Sequence, residues 1–133
     1  MSIASASVNI DGTSSTTGGT DTGMVDQGGD LLQHQVILDD SSEFIDQTSM
    51  LFSITPPKPS STAPNGYTQK RCKVIAQVPL ALDNGNYTVN TLRLELACDP
   101  ETTDSEIQSM LILGGQLLSD SDFSDFWKKQ SVE

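Results

Sequence analysis

The chain has 133 residues, enough for one domain with a modest core. Seven basic residues stand against eighteen acidic ones, a formal net charge of −11, and 35% of the residues are apolar. No run of about 18 apolar residues exists to span a membrane as a helix, and MSIASASVNIDG lacks the basic start and apolar stretch of a secretion signal.

Charge is unevenly spread. Residues 47–98 hold Lys58, Lys70, Arg71, Lys73 and Arg93 against only Asp83 and Glu95, whereas the rest of the chain holds Lys128 and Lys129 against sixteen acids. A basic island therefore sits between two acidic flanks, as expected of a cationic surface inside an acidic exterior, or of an ordinary solvated surface.

In chain order, Ala4, Ala6, Val8 and Ile10 alternate with Ser5, Ser7 and Asn9, which predicts a strand closed by an Asp11-Gly12 turn. Residues 11–30 are almost wholly Gly, Ser, Thr and Asp and read as a long loop or wide hairpin. Residues 32–38 (LQHQVIL) read as a second strand, and residues 39–42 (DDSS) as a turn. In SMLFSIT (49–55), Met50, Phe52 and Ile54 point one way and Leu51, Ser53 and Thr55 the other. Pro56, Pro57 and Pro59 end that strand, since proline cannot donate to a ladder, and Pro64-Asn65-Gly66 supplies a turn.

The clearest strand is KRCKVIAQVPL. It puts Cys72, Val74, Ala76 and Val78 on one face and Arg71, Lys73, Ile75 and Gln77 on the other, with Pro79 as its end or a bulge. After the turn at Asp83-Asn84-Gly85-Asn86, YTVNTLRLELACD puts Leu92, Leu94, Leu96 and Cys98 opposite Thr91, Arg93 and Glu95, with Val89 falling on the polar side. The period then changes. Thr103-Asp104-Ser105-Glu106 fits a capping box, in which the Thr hydroxyl takes the third helical N–H and the Glu reaches back to the cap. Ile107, Met110, Leu111, Gly114, Leu117 and Leu118 form one helical stripe, and Phe123, Phe126 and Trp127 give a second short helix an apolar face, with Lys128 and Lys129 in its last turn. The chain is thus α+β: four to six antiparallel strands, then two helices at one end.

Catalytic and metal chemistry find little material. His34 is the single histidine and, in its Gln-His-Gln setting, reads as a solvated strand residue. Cys72 and Cys98 sit in apolar alternations and read as two buried reduced thiols, with no close ligand pair for zinc. Asp39, Asp40 and Glu43, and Asp120, Asp122 and Asp125, lack a calcium-loop spacing and read as solvated or capping residues. No acid–base pair can be named, so the reading is not an enzyme, and no cofactor is expected.

Two features ask for more. Gly114-Gly115 inside a helix costs about 1 kcal/mol per residue relative to alanine, so either another backbone approaches closely there or the helix kinks or ends. Arg71, Lys73 and Arg93 lie on strand faces whose reverse sides are apolar, so the sheet is covered on one side and open on the other. Such a platform can neutralise phosphates, with Ser53, Thr55, Gln77 and Thr91 as hydrogen-bonding partners for bases or sugar, or it is merely the soluble face of a sheet.

With KRCKVIAQVP, YTVNTLRLELACDP, TTDSEIQSMLILGGQLL and DFSDFWKKQ in place, the chain resembles the coat proteins of small single-stranded RNA bacteriophages, the leviviruses. The similarity extends over most of the chain and is strongest over residues 70–130. The resemblance implies one coat protein domain over residues 1–133, with an N-terminal β-hairpin and five-stranded antiparallel sheet in 1–98 and two helices forming a dimerisation arm in 99–133. It implies an obligate homodimer in which the helices, through Ile107, Met110, Leu111, Gly114, Leu117 and Leu118, cross the partner's sheet to give one ten-stranded sheet. Further implications are a quasi-equivalent icosahedral (T=3) shell assembled in the bacterial cytoplasm, with the sheet facing inward as part of a virion, and no membrane partner. The RNA-facing positions carried over are Ser53, Thr55, Arg71, Lys73, Ile75, Gln77, Thr91 and Arg93, taking single-stranded genomic RNA, in the family a hairpin whose binding represses replicase translation. Ile75 stands where the family often has a polar or basic residue, and Thr91 where a stacking aromatic is often found. The rival reading is a small cytosolic α+β ligand- or protein-binding module with no assembly role.

Overall fold

A computed structural model of the chain describes residues 7–10, 20–38 and 43–132. The predicted turns at Asp11-Gly12 and at 39–42, and the strand positions Ala4 and Ala6, lie outside the described residues.

Alternating polarity builds an antiparallel meander of six strands: β1 (Ser7–Ile10), β2 (Thr20–Gly29), β3 (Gln33–Leu38), β4 (Ser49–Thr55), β5 (Lys70–Ala81) and β6 (Tyr87–Cys98). The first part of β2 pairs with β1 as a hairpin and its remainder with β3, so the hairpin runs directly into a five-stranded sheet, β2 to β6. This is the expected architecture, and of the two readings of residues 11–30, long loop or wide hairpin, the hairpin holds: Thr20–Gly29 is a strand paired with β1. Its composition is that of a loop, but β1 pairs with its first part and β3 with its remainder, which gives its backbone groups ladder partners, and strand preference yields readily to such context.

The turn from β2 to β3 is built by Asp30. Its carboxylate accepts the backbone N–H groups of Leu32 (2.7 Å) and Gln33 (2.9 Å), which holds its pKa below the ordinary aspartate value. Gly29 is required beside it, because a Cβ there would strike the Gln33 carbonyl. Between β4 and β5 the chain is not loose. Pro59 bridges Tyr67, Thr68 N–H donates to the Lys58 carbonyl, and Asn65 Nδ2 donates to Asp99 Oδ1 at 2.7 Å, tying this excursion to the approach of the first helix.

β5 and β6 pair along their whole length, closed by a turn in which Gly85 takes φ +86°. Pro79, expected as an end or bulge, lies within β5 opposite Val89. Pairing to β4 stops at Gln77, so beyond it β5 has a flank without that neighbour, where a missing N–H forfeits no ladder bond.

Helix α1 (Asp104–Ser119) starts at Thr103, whose hydroxyl oxygen accepts the Glu106 N–H (3.2 Å) and whose hydroxyl donates to Glu106 Oε1 (2.9 Å). The Glu thus reaches back to the cap as expected, closing the box side chain to side chain. Phe123 falls in a 3-10 turn, Ser121–Phe123, rather than in the second helix, α2 (Ser124–Lys129). The elbow is fastened by Trp127, whose Nε1–H donates to the Leu117 carbonyl at 2.7 Å and whose ring meets Phe126 edge-on.

Burial is sparse. Among the described residues the buried apolar side chains are Val36, Leu38 and Cys98, and neither α1 nor α2 contains a buried residue. α1 rests mainly against the turn that follows it rather than on the sheet. No helix among the described residues is long and apolar enough to cross a membrane.

Candidate nucleic-acid interface

Register decides which side chains share a face, because directly opposed residues of antiparallel strands point the same way. Thr55 lies opposite Arg71, Ser53 opposite Lys73, and Leu51 opposite Ile75. Across the next seam Gln77 lies opposite Thr91, Ile75 opposite Arg93, and Lys73 opposite Glu95. Ser53, Thr55, Arg71, Lys73, Ile75, Gln77, Thr91 and Arg93 are therefore brought together on one surface spanning three strands. Gln33 and Gln35 extend it, opposite Ser53 and Leu51. The sequence reading passed over these two glutamines, although their alternation with His34, Val36 and Leu38 placed them.

On this platform the Arg71 guanidinium binds Glu95 Oε1 at 2.8 Å. Lys73 and Arg93 are exposed, diagonal to one another on β5 and β6, and have no carboxylate partner among the described residues. Two cations so placed are able to neutralise phosphate, and the hydroxyl and amide groups around them can donate and accept.

The reverse face is apolar, and its burial fades toward β6. Along one row, Val36 is fully buried, Met50 and Ala76 are half-buried, and Leu92 is 46% exposed. Leu94, Ile54, Val78 and Leu80 are open as well. β6 is the last strand, so among the described residues its outer edge has no paired neighbour beside that uncovered surface. The helical arm is uncovered as well. Met110, Leu111, Leu117 and Leu118 are exposed, and Ile107 and Gly114 are half-buried. Leu113 widens this stripe beyond what the spacing suggested, and Ile112 is exposed on the helix's other side. The helix continues through Gly114 and Gly115, which removes the end as an explanation for them, and a Cβ added at either meets no other part of the described residues within 4 Å.

Two smaller readings are corrected. His34 is not a solvated residue: it is half-buried on the apolar face, opposite Phe52, with Nε2 2.6 Å from Asp26 Oδ1. Cys98 is buried as expected, but Cys72 is exposed on the apolar face of β5; both are free thiols. Asp120 caps the 3-10 turn through the Asp122 N–H, and Asp125 pairs with Lys129. No group of three metal-ligating side chains occurs among the described residues.

A hairpin-led antiparallel sheet, polar on one face and bare on the other, followed by a two-helix arm that does not settle on it, is the coat protein fold of the small RNA phages. No protein-family model matches the sequence, and no curated protein does. Among solved structures, the virus-like particle of bacteriophage GQ-907 is similar with a TM-score of 0.78 at 22% identity, covering 91% of each chain. The virus-like particle of Beihai levi-like virus 21 gives 0.63 at 16% identity and 96% coverage of each chain. An unassembled bacteriophage coat protein dimer, described as RNA-binding, gives 0.53 at 11% identity and 96% coverage of each chain.

Proposed function

We propose that this chain is a capsid subunit that dimerises, assembles into an icosahedral shell and binds genomic RNA on the inward face of its sheet. It is a structural protein of a virion and not an enzyme. The observation that carries the reading is that two apolar surfaces are left uncovered, the α1 stripe and the β6 end of the sheet face that lies opposite the cationic platform. Each exposed leucine gains about 1.5–3 kcal/mol on full burial, so several per copy strongly favour a second copy whose helices lie across this sheet. Joining the two β6 edges makes one ten-stranded sheet and satisfies the edge backbone groups in the same step. The continuous polar face then presents two copies of the Lys73–Arg93 locus, a surface suited to an RNA hairpin and hence to translational repression. The fold shared with virus-like particles and a coat protein dimer supports this reading.

Electron microscopy and light scattering of the purified recombinant protein test it. Closed particles of viral size are the expected result; a stable single-chain monomer overturns the proposal and leaves the small binding module. The glycines give an independent check. In an isolated α1, Gly114→Ala would stabilise the helix by about 1 kcal/mol. Where a partner's backbone lies against the glycine, the added methyl lowers dimer stability instead, so concentration-dependent thermal unfolding should show a fall in Tm.

A further inference from the structure

The Arg71–Glu95 pair lies on the surface proposed to receive RNA, yet it removes one of that surface's three cations. Both side chains are about half exposed (51% and 43%), and an exposed pair of this kind contributes little to stability. Holding the sheet together is therefore a poor account of it, since β5 and β6 already pair along their full length. Its effect on an approaching polyanion is larger. A phosphate reaching Arg71 must displace a carboxylate already bound at 2.8 Å and meets that carboxylate's charge as it does so. Lys73, although it stands directly opposite Glu95, and Arg93, on the next diagonal, make no ion pair with a carboxylate among the described residues.

We propose that Glu95 is a specificity-determining residue of the RNA face: it masks Arg71 from phosphate and confines the phosphate locus to Lys73 and Arg93. This assignment rests on the RNA-binding reading above and deepens it. The ligand class it favours is single-stranded RNA whose backbone passes over Lys73 and Arg93 while sugar or base groups, not phosphates, lie over Arg71. Indiscriminate polyanion binding is held down, because each phosphate not neutralised removes a share of the salt-dependent affinity. A charged partner that penalises the wrong contact supplies discrimination that added attraction cannot.

The test is titration of the purified full-length protein with fluorescent oligouridylate, an unstructured RNA, across a range of salt concentrations. Glu95→Gln keeps an amide oxygen for the guanidinium and removes only the charge. Expected are a severalfold gain in oligouridylate affinity and a log–log salt dependence steeper by about 0.7, the value for one further phosphate on a single strand. The melting temperature should stay unchanged, which a merely structural role would not predict. In an Arg71→Gln background the same substitution should bring only a small part of the gain. An equal gain with and without Arg71, or no gain at all, overturns the assignment while leaving RNA binding intact. Absence of oligouridylate binding by the unsubstituted protein at low salt overturns the RNA-face reading, and this assignment with it.

Discussion

Replacing Leu111 and Leu118 together by aspartate will abolish dimers and particles, and size-exclusion chromatography with light scattering will find monomer or non-specific aggregate in their place. Within one copy these side chains are 52% and 43% exposed, and α1 has no buried residue. An isolated chain would therefore register the exchange within about 0.5 kcal/mol, as at other exposed sites. Against a second sheet the sum is different: each lost leucine forfeits about 2–5 kcal/mol of packing, and each aspartate adds a carboxylate with no partner in an apolar contact. Both changes occur in both copies of a dimer, so the combined cost exceeds the net stability of an ordinary small domain. Gln108→Asp, on the same helix but off the stripe, should leave the particle size unchanged. Particles of undiminished yield from the Leu111 and Leu118 double variant would mean that the arm does not lie on a partner's sheet.

How far the sequence alone revealed this depends on how local each signal is. The strands at 49–55, 70–81 and 87–98 were legible because alternation is strict there: Arg71, Lys73, Gln77, Thr91 and Arg93 could be assigned to polar faces residue by residue, and the register joined those faces into one. The helix start was equally local, a Thr and a Glu three positions apart. What stayed open or failed was set by distant partners. The second strand, Thr20–Gly29, has a loop's composition and owes its state to β1 and β3. Pro79 signals an end, but the neighbour whose absence makes it tolerable stops thirty residues earlier in the chain, at Ser49 opposite Gln77. His34 alternates with two glutamines, and nothing in that local pattern reveals Asp26 at 2.6 Å. The pairing of Arg71 with Glu95 rather than with solvent depends likewise on a diagonal between strands, which spacing along either strand cannot give.

Lys73→Glu with Arg93→Glu will remove RNA from the protein without unfolding it. The platform carries Arg71, Lys73 and Arg93 against Glu95; after the exchange one cation faces three carboxylates, so a surplus of two positive charges becomes a deficit of two. For a single strand, affinity falls with log salt at about 0.7 per phosphate neutralised, so losing both contacts removes about 1.4 from the slope and the reversed charge repels what remains. More than a tenfold loss of oligouridylate affinity at low salt is expected, together with an ultraviolet spectrum of the purified particles reduced to that of protein. Both residues are exposed and lie on the face away from the apolar surface, so thermal unfolding of the dimer should shift by no more than other surface changes do. The prediction separates two causes of nucleic-acid content that a particle alone confounds, since RNA enclosed merely by volume would survive the exchange. Retention of RNA at the same ratio to protein, and of the same salt slope, would mean that the polar sheet face is a soluble surface and that the nucleic acid is held elsewhere.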